Sequence, residues 1–407
     1  MEKNSVAVTN SKMSSYIPNE IALSILSKLS VKSLKRFECV KKSWSLLFES
    51  HHFMNMFRIN LFSNSHRCSY YDGASLFLRV FGLYQYDLYS LSGKKFENKV
   101  KLDCSNRFAN HFNFRIYGFG SINGILCLYE NNYYGKIVFW NPTTQEIKLI
   151  PPSLVDSVES FIPYVAKDFV SLDAMYFFHG FGYDDRTNDY MVIRYVYILG
   201  EHPDYGDILM EELEDESLYH FWEIYNLRSN SWKKLDVNMP SSLDYTEGTQ
   251  VYMDGVCHWF CVEDSSDEQC VVSFYLSNKV FSITPLPSND DYFVFDETSL
   301  INLVVLNGSI ALISYHEDTT FHISILGEFG VEASWTKLLT VGPLPCVERP
   351  IGVGSKGEIF FVRKDEELVW LDLSTQMIVE LGFKGVGCSS RITMYKECIV
   401  PIGGISN

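Results

Sequence analysis

A hairpin-like element recurs along most of this 407-residue chain. Each copy is an apolar or aromatic run, a polar turn and a second run that often starts with an aromatic. The copies are Tyr89–Phe96, Trp140–Ile147, Tyr225–Trp232, Tyr275–Phe281, Leu326–Trp335 and Leu371–Ile378, and their first residues stand 51, 85, 50, 51 and 45 positions apart. A second kind of turn alternates with them. Asn123-Gly124, Asp254-Gly255, Asn307-Gly308 and Lys356-Gly357 each open an apolar run, and Gly182–Tyr190 is a longer variant before Met191. Short apolar runs bounded by Asn-Gly or Asp-Gly turns are the pattern of β-hairpins.

A period near 50 built from hairpins is the spacing of a kelch-type propeller. A propeller closes a ring of four-stranded blades and so removes long open sheet edges. Six copies predict six blades. The long interval predicts insertions at 154–178 and 199–221, and Arg391–Tyr395 is placed to complete the first blade and close the ring. The alternative, a pair of β-sandwiches, has regular turns but no shared repeat of this length.

The N-terminal segment follows a different period. Ile17, Ile21, Ile25 and Leu29 recur every four residues with Leu26 beside them, which makes one helical face. Pro18 suits a first helical turn, and Ser30 can end one helix and cap the next. Val31, Leu34, Phe37, Val40, Trp44 and Leu47 continue the apolar positions. About 40 residues of short helices bury too little surface to be stable alone, so they need the rest of the chain or a partner to pack against. The simplest alternative is an ordinary helical hairpin folded onto its own domain.

The ordered set Ile17-Pro18-x-Glu20-Ile21, Ile25-Leu26-x-x-Leu29, Val31-x-x-Leu34-x-x-Phe37, Lys42-Ser43-Trp44-x-x-Leu47 and a closing Phe53 resembles the F-box. It departs from the family pattern at Ser30, where a second proline is usual, and at Lys41, where many members carry cysteine. The resemblance implies that Ile17, Pro18, Ile21, Ile25, Leu26, Leu29, Val31, Leu34, Phe37, Val40, Trp44 and Leu47 dock a Skp-type adaptor and, through it, a cullin. Gly182-Tyr183-Asp184, Trp140-Asn141-Pro142 and Tyr225-Asn226-Leu227 to Trp232 resemble the F-box-associated propeller of plant F-box proteins. The expected fold is α+β multidomain. It comprises a flexible tail (1–13), a helical F-box (14–57), a linker (58–74), a mainly-β kelch-like propeller (75–400) and a C-terminal tail (401–407).

Net charge is −16 but uneven: residues 1–58 hold nine Lys/Arg against four Asp/Glu, leaving 25 against 46 in the remainder. An acidic body argues against nucleic-acid binding, and a basic head suits an acidic protein partner. No apolar run approaches the roughly 18 residues of a membrane helix. The first residues, Met1–Ser5, have no apolar core of a secretory leader. With ten irregularly spaced cysteines, the expected compartment is reducing: cytoplasm, nucleus or both.

Chemical motifs are sparse. Gly352–Gly357 matches G-x-G-x-x-G, but a strand-like run follows where a dinucleotide site needs a helix. Cys257, His258, Cys261 and Cys270 are interleaved with apolar residues as in a strand, so no metal is expected. No catalytic residue or cofactor is expected either. Acidic runs at 211–216, 263–268 and 290–297 are solvated loops on the plainer reading. On the sharper reading they form a negative rim for a basic target, led by Asp204, Asp207, Glu211, Glu212, Glu214, Asp215 and Glu216. The functional expectation is a non-catalytic substrate receptor of a ubiquitin ligase. The alternatives are a kelch-type scaffold outside a ligase and a propeller enzyme.

Overall fold

The computed structural model describes residues 19–29, 31–40, 42–48, 50, 52–53, 56, 74–81, 86–102, 114–130, 135–153, 171–202, 206–209, 220–240, 250–262, 269–286, 302–306, 308–316, 320–372, 375–384, 390–398 and 401–402. The chain divides into two compact units, 1–61 and 62–407. The first contains α1 (Asn19–Leu26), α2 (Val31–Glu38) and α3 (Lys42–Phe48). Helices of two turns are marginal by propensity and depend on side-chain packing. Here Leu26, Leu34, Phe48 and Phe53 are buried. Phe37 meets Trp44 edge-on at 5.4 Å, and Phe48 lies 4.9 Å from Phe53.

The second unit is a six-bladed propeller. Among the described residues, blade 1 holds β1 (Ser75–Phe81), β2 (Tyr86–Ser92) and β3 (Asn98–Leu102). Blade 2 holds β4 (Phe114–Ile116), β5 (Leu126–Glu130), β6 (Ile137–Asn141) and β7 (Glu146–Leu149). Blade 3 holds β8 (Ser171–Asp184), β9 (Asp189–His202), β10 (Gly206–Leu209), β11 (His220–Asn226) and β12 (Ser231–Leu235). Blade 4 runs through β13 (Gln250–Met253), β14 (Val256–Val262), β15 (Gln269–Tyr275) and β16 (Val280–Pro285). Blade 5 runs through β17 (Asn302–Leu306), β18 (Ser309–His316), β19 (Thr320–Leu326) and β20 (Trp335–Val341). Blade 6 runs through β21 (Val347–Val353), β22 (Ile359–Arg363), β23 (Glu367–Asp372) and β24 (Met377–Lys384). The last strand, β25 (Arg391–Tyr395), returns to blade 1 and pairs antiparallel with β1 from Ser75↔Tyr395 to Arg79↔Arg391.

Sequence sets this order locally. The six recurring elements are the third-to-fourth-strand hairpins of the six blades. In four of them the last turn residue is left-handed: Gln145 (φ 65°), Asn230 (49°), Lys279 (60°) and Gln376 (57°). Asn141 and Asp372 open their turns as side-chain acceptors, from Thr143 N at 3.0 Å and from Thr375 Oγ1 at 2.9 Å. Asn123-Gly124 and Asp254-Gly255 have positive φ at both positions, the two-residue turn that suits strand twist. Middle strands such as β6 and β19 are buried throughout because both sheet faces pack on neighbouring blades. Outer strand β7 alternates half-buried and exposed.

Indole groups tie successive blades. Trp232 Nε1 donates to Pro151 O at 2.9 Å, and Trp335 Nε1 donates to Pro285 O at 3.1 Å. In each case the Trp lies at or beside the start of a fourth strand and its acceptor at the exit of the preceding blade. Between blades 2 and 3, the Arg194 guanidinium lies 3.9 Å from the ring centres of both Tyr176 and Trp232, and its Nε donates to buried Glu223.

The long interval resolves differently from a pair of loops. Residues 171–178 extend β8 and 199–202 extend β9, paired from Ser171↔Glu201 to Asp184↔Asp189 with a one-residue shift between Phe178 and Gly180. β10 then pairs with the end of β9, Leu209 opposite Leu199. Val196 and Ile198 are fully buried and Met175 and Phe177 partly so, and this apolar content keeps the ribbon paired. Residues 154–170, 203–205 and 210–219 lie outside the described residues. At the other end, buried Ile402 belongs to the blade 2–blade 3 core, beyond the boundary expected at 400.

The glycine of Gly182-Tyr183-Asp184 has a packing cause. A Cβ on Gly182 would lie 2.4 Å from Leu276 Cδ1 and 2.9 Å from Cys257 Sγ, because β8 closes directly on blade 4. Gly182→Ala is expected to destabilise the propeller by about 1–3 kcal/mol. Chemical denaturation of the full chain measures this, and an unchanged midpoint contradicts the packing account.

Candidate functional site

The helical unit presents apolar side chains that its own packing does not use. Ile21 and Ile25, one turn apart on α1, are 51% and 53% exposed; Val40 and Leu46 are each 71% exposed. Single exposed apolar residues are ordinary, and this small unit carries four among its described residues. Of the residues expected to dock, Ile21, Ile25 and Val40 are thus exposed. Leu29, Phe37, Trp44 and Leu47 are half-buried, and Val31 begins α2. Leu26 and Leu34, also expected to dock, are buried at 6% and 7% exposure. Ile17 and Pro18 lie outside the described residues. Leu46 was not singled out by the sequence pattern. It lies between the half-buried positions Trp44 and Leu47, and periodicity alone does not say which side of an apolar stripe faces out.

Strand direction gives the propeller two unlike faces. First-to-second and third-to-fourth turns share one face; second-to-third turns and blade-to-blade connections share the other. The first face carries tight turns at 93–97, 142–145, 185–188, 227–230, 254–255, 276–279, 327–334 and 354–358, with six Lys/Arg against six Asp/Glu. The segments 203–219, 236–249, 263–268, 286–301 and 317–319, most of whose residues lie outside the described ones, contain seven, three, four, four and two Asp/Glu, and no Lys or Arg. Asp207 belongs to β10. Asp204, Glu211, Glu212, Glu214, Asp215 and Glu216 lie outside the described residues, as do the runs 263–268 and 290–297.

The sequences that resemble catalytic or metal motifs are part of the blades. Gly352–Gly357 spans the end of β21 and the turn into β22. Cys257 and Cys261 enter the blade 3–blade 4 core, and Cys270 stands opposite Cys261 across β14 and β15. His258 points to the other sheet face, 4.8 Å from the Phe329 ring, so it does not converge with the thiols. Burial pushes the Cys257 thiol far above its ordinary range. A narrow cleft near the ring axis is lined by Tyr117, Phe119, His179, Gln250 and Tyr252. There His179 Nδ1 is hydrogen-bonded to Phe177 O at 2.8 Å, and its ring meets Trp222 edge-on.

A family model for the F-box associated beta propeller domain matches residues 77–394, from β1 to β25. The chain belongs to the F-box associated beta propeller domain family. Curated relatives in Arabidopsis thaliana include the F-box protein CPR1, 25% identical over 287 residues, covering 65% of this chain and 63% of that protein. An F-box/kelch-repeat protein of the same plant is 23% identical over 340 residues, covering 83% of this chain and 82% of its own length. The chain therefore spans a little under two thirds of the first relative. The family match covers the ring together with its closing strand, and α1–α3 lie before it.

Within this F-box associated propeller, His258 gives a pH signature. Its Nδ1 is hydrogen-bonded to Ser273 Oγ at 2.9 Å, and burial pushes the imidazole down to about 3. In the unfolded chain it titrates near 6.5. Between those values the unfolded state binds more protons, so stability is full above about 6.5 and falls as pH drops. The slope from this group is at most about 1.4 kcal/mol per pH unit. His258→Gln is expected to flatten the loss of stability between about pH 6 and pH 4. Equal slopes for the two proteins, measured by denaturation across that window, exclude the assignment.

Proposed function

We propose that this chain is a substrate receptor of a cullin-type ubiquitin ligase. The helical unit docks a Skp-type adaptor and the propeller holds a protein target. The carrying observation is the pairing of exposed Ile21, Ile25, Val40 and Leu46 on a short helical unit with a propeller whose family is defined by its association with the F-box. The relatives bear F-box names, which supports the same reading. The receptor performs no chemical step. It raises the local concentration of target beside an enzyme recruited elsewhere in the complex, so its contribution is proximity. Such a complex acts in the cytoplasm or nucleus, in keeping with buried thiols at Cys257 and Cys270 that form no disulfide among the described residues.

Docking and folding separate by residue. Ile25→Glu with Val40→Glu should abolish adaptor capture while amide exchange over 19–48 stays unchanged, because both side chains already face water. Leu26→Ala should instead cost about 2–5 kcal/mol in the helical unit and speed exchange there. Full capture by the double Glu variant refutes the docking surface.

The target is assigned to the face of long connections, and a basic protein segment suits its acidic connections on blades 3–5. Rigid scaffolds commonly carry recognition on such connections. Contacts of this kind are screened by salt. Neutralising Asp204, Asp207, Glu211, Glu212, Glu214, Asp215 and Glu216 to their amides keeps the side-chain shape and removes seven charges. The expected outcome is loss of basic proteins from affinity capture with adaptor binding intact. An unchanged capture profile moves recognition to other connections.

A further inference from the structure

The ring has a second fastening. Beyond β25 the chain crosses onto blade 2, where it is held at successive points. Lys396 N donates to Ser121 Oγ at 2.9 Å, Asn141 Nδ2 donates to Cys398 O at 2.9 Å, and Ile402 N donates to Glu146 Oε2 at 2.8 Å. Ile402 is 2% exposed and packs in the core with Ile122, Ile125 and Phe139. The track fits closely. A Cβ on Gly124 would lie 2.4 Å from Cys398 Cβ, and Gly124 is itself left-handed at φ 78°. Just before the crossing, the Tyr395 hydroxyl accepts from Thr143 N at 3.0 Å.

These contacts bear on the weakest seam of a propeller. β25 reaches blade 1 with no short covalent tie to β1, so that sheet is completed by pairing between strands far apart in the chain. Were β25 to lift, β1 would become an open edge. We propose that the chain after β25 is a strap that clamps the closing strand by anchoring it to blade 2, and that Asn141 is its positioning residue. Asn141 has two jobs with separate atoms. Its Oδ1 accepts from Thr143 N and Thr144 N in the turn and, at 3.5 Å, from the Tyr395 hydroxyl of β25, while its Nδ2 holds the strap. Asn141→Asp keeps the acceptor and removes the donor.

The test is hydrogen exchange at 75–79 and 391–395 in four full-length proteins: the parent, Asn141→Asp, Ile402→Ala and the double variant. Each single change is expected to speed exchange in those two strands by up to about tenfold, the size of one lost hydrogen bond or partial core contact. Exchange in blade 4 (256–262, 269–275) should not move. The double variant should fall short of the product of the single effects, because both substitutions release one strap. Independent effects, or acceleration spread equally over all blades, overturn the proposal. A turn role alone predicts that Asn141→Ala speeds exchange at 143–145 and leaves 75–79 and 391–395 unchanged, and that pattern overturns it too. If Ile402→Ala does not fold, a chain carrying Ile402→Val replaces it in the same cycle with the same expected and excluding results.

Discussion

The pairing of β25 with β1 is the constraint on which the rest of the propeller depends. Every other blade is built from consecutive hairpins and needs only local contacts, whereas blade 1 joins residues about 75–79 to 391–395. The loop-closure entropy of bringing those ends together is met by several contacts at once. Phe77 and Tyr395 stack at 4.5 Å, five residue pairs align in register, and Met394 exchanges backbone hydrogen bonds with Phe119 and Ser121 of blade 2. The same strand thus finishes blade 1 on one edge and meets blade 2 on the other.

Burial on both sheet faces makes a charged residue inside the blades depend on close partners. Arg194 stays buried because two aromatic faces and Glu223 surround its guanidinium. Removing one partner would leave a charge in a low-dielectric site, which costs far more than the pair itself contributes. The Trp232–Pro151 and Trp335–Pro285 bonds act similarly, satisfying an indole donor while setting the angle between blades. Rigidity of this kind allows one face to carry connections of very different length without disturbing the ring.

Much of this was legible in the sequence because turns carry their own chemistry. Asn123-Gly124 and Asp254-Gly255 need left-handed backbone, and no other residues accept it so readily. The closing strand was legible from Arg391–Tyr395 standing as an unpaired strand after six hairpins. The ribbon at 171–202 was not, because an interval longer than the period shows only that residues are inserted, and not whether they pair. Ile402 was missed because one apolar residue among Pro401, Gly403 and Gly404 has no periodicity to read. The Trp–Pro staples link residues 81 and 50 positions apart, and nothing in either neighbourhood names the other. On the helices, a four-residue repeat marked an apolar stripe correctly but did not separate inward Leu26 from outward Ile25. Those two are adjacent, about 100° apart around the axis, and a stripe wider than that contains both.

The two units solve stability by opposite means, and this shapes what each can do. The propeller encloses its described apolar residues in large inter-blade cores. Helices of eight, eight and seven residues enclose only a few side chains, and Ile21, Ile25, Val40 and Leu46 remain in water. Burying a large aliphatic side chain is worth about 1.5–3 kcal/mol. Covering four of them can therefore exceed the association cost only if the partner supplies a matching apolar groove. A unit so built encloses little of its own apolar surface. The division follows from size: seven- and eight-residue helices cannot bury what a closed ring of six sheets buries.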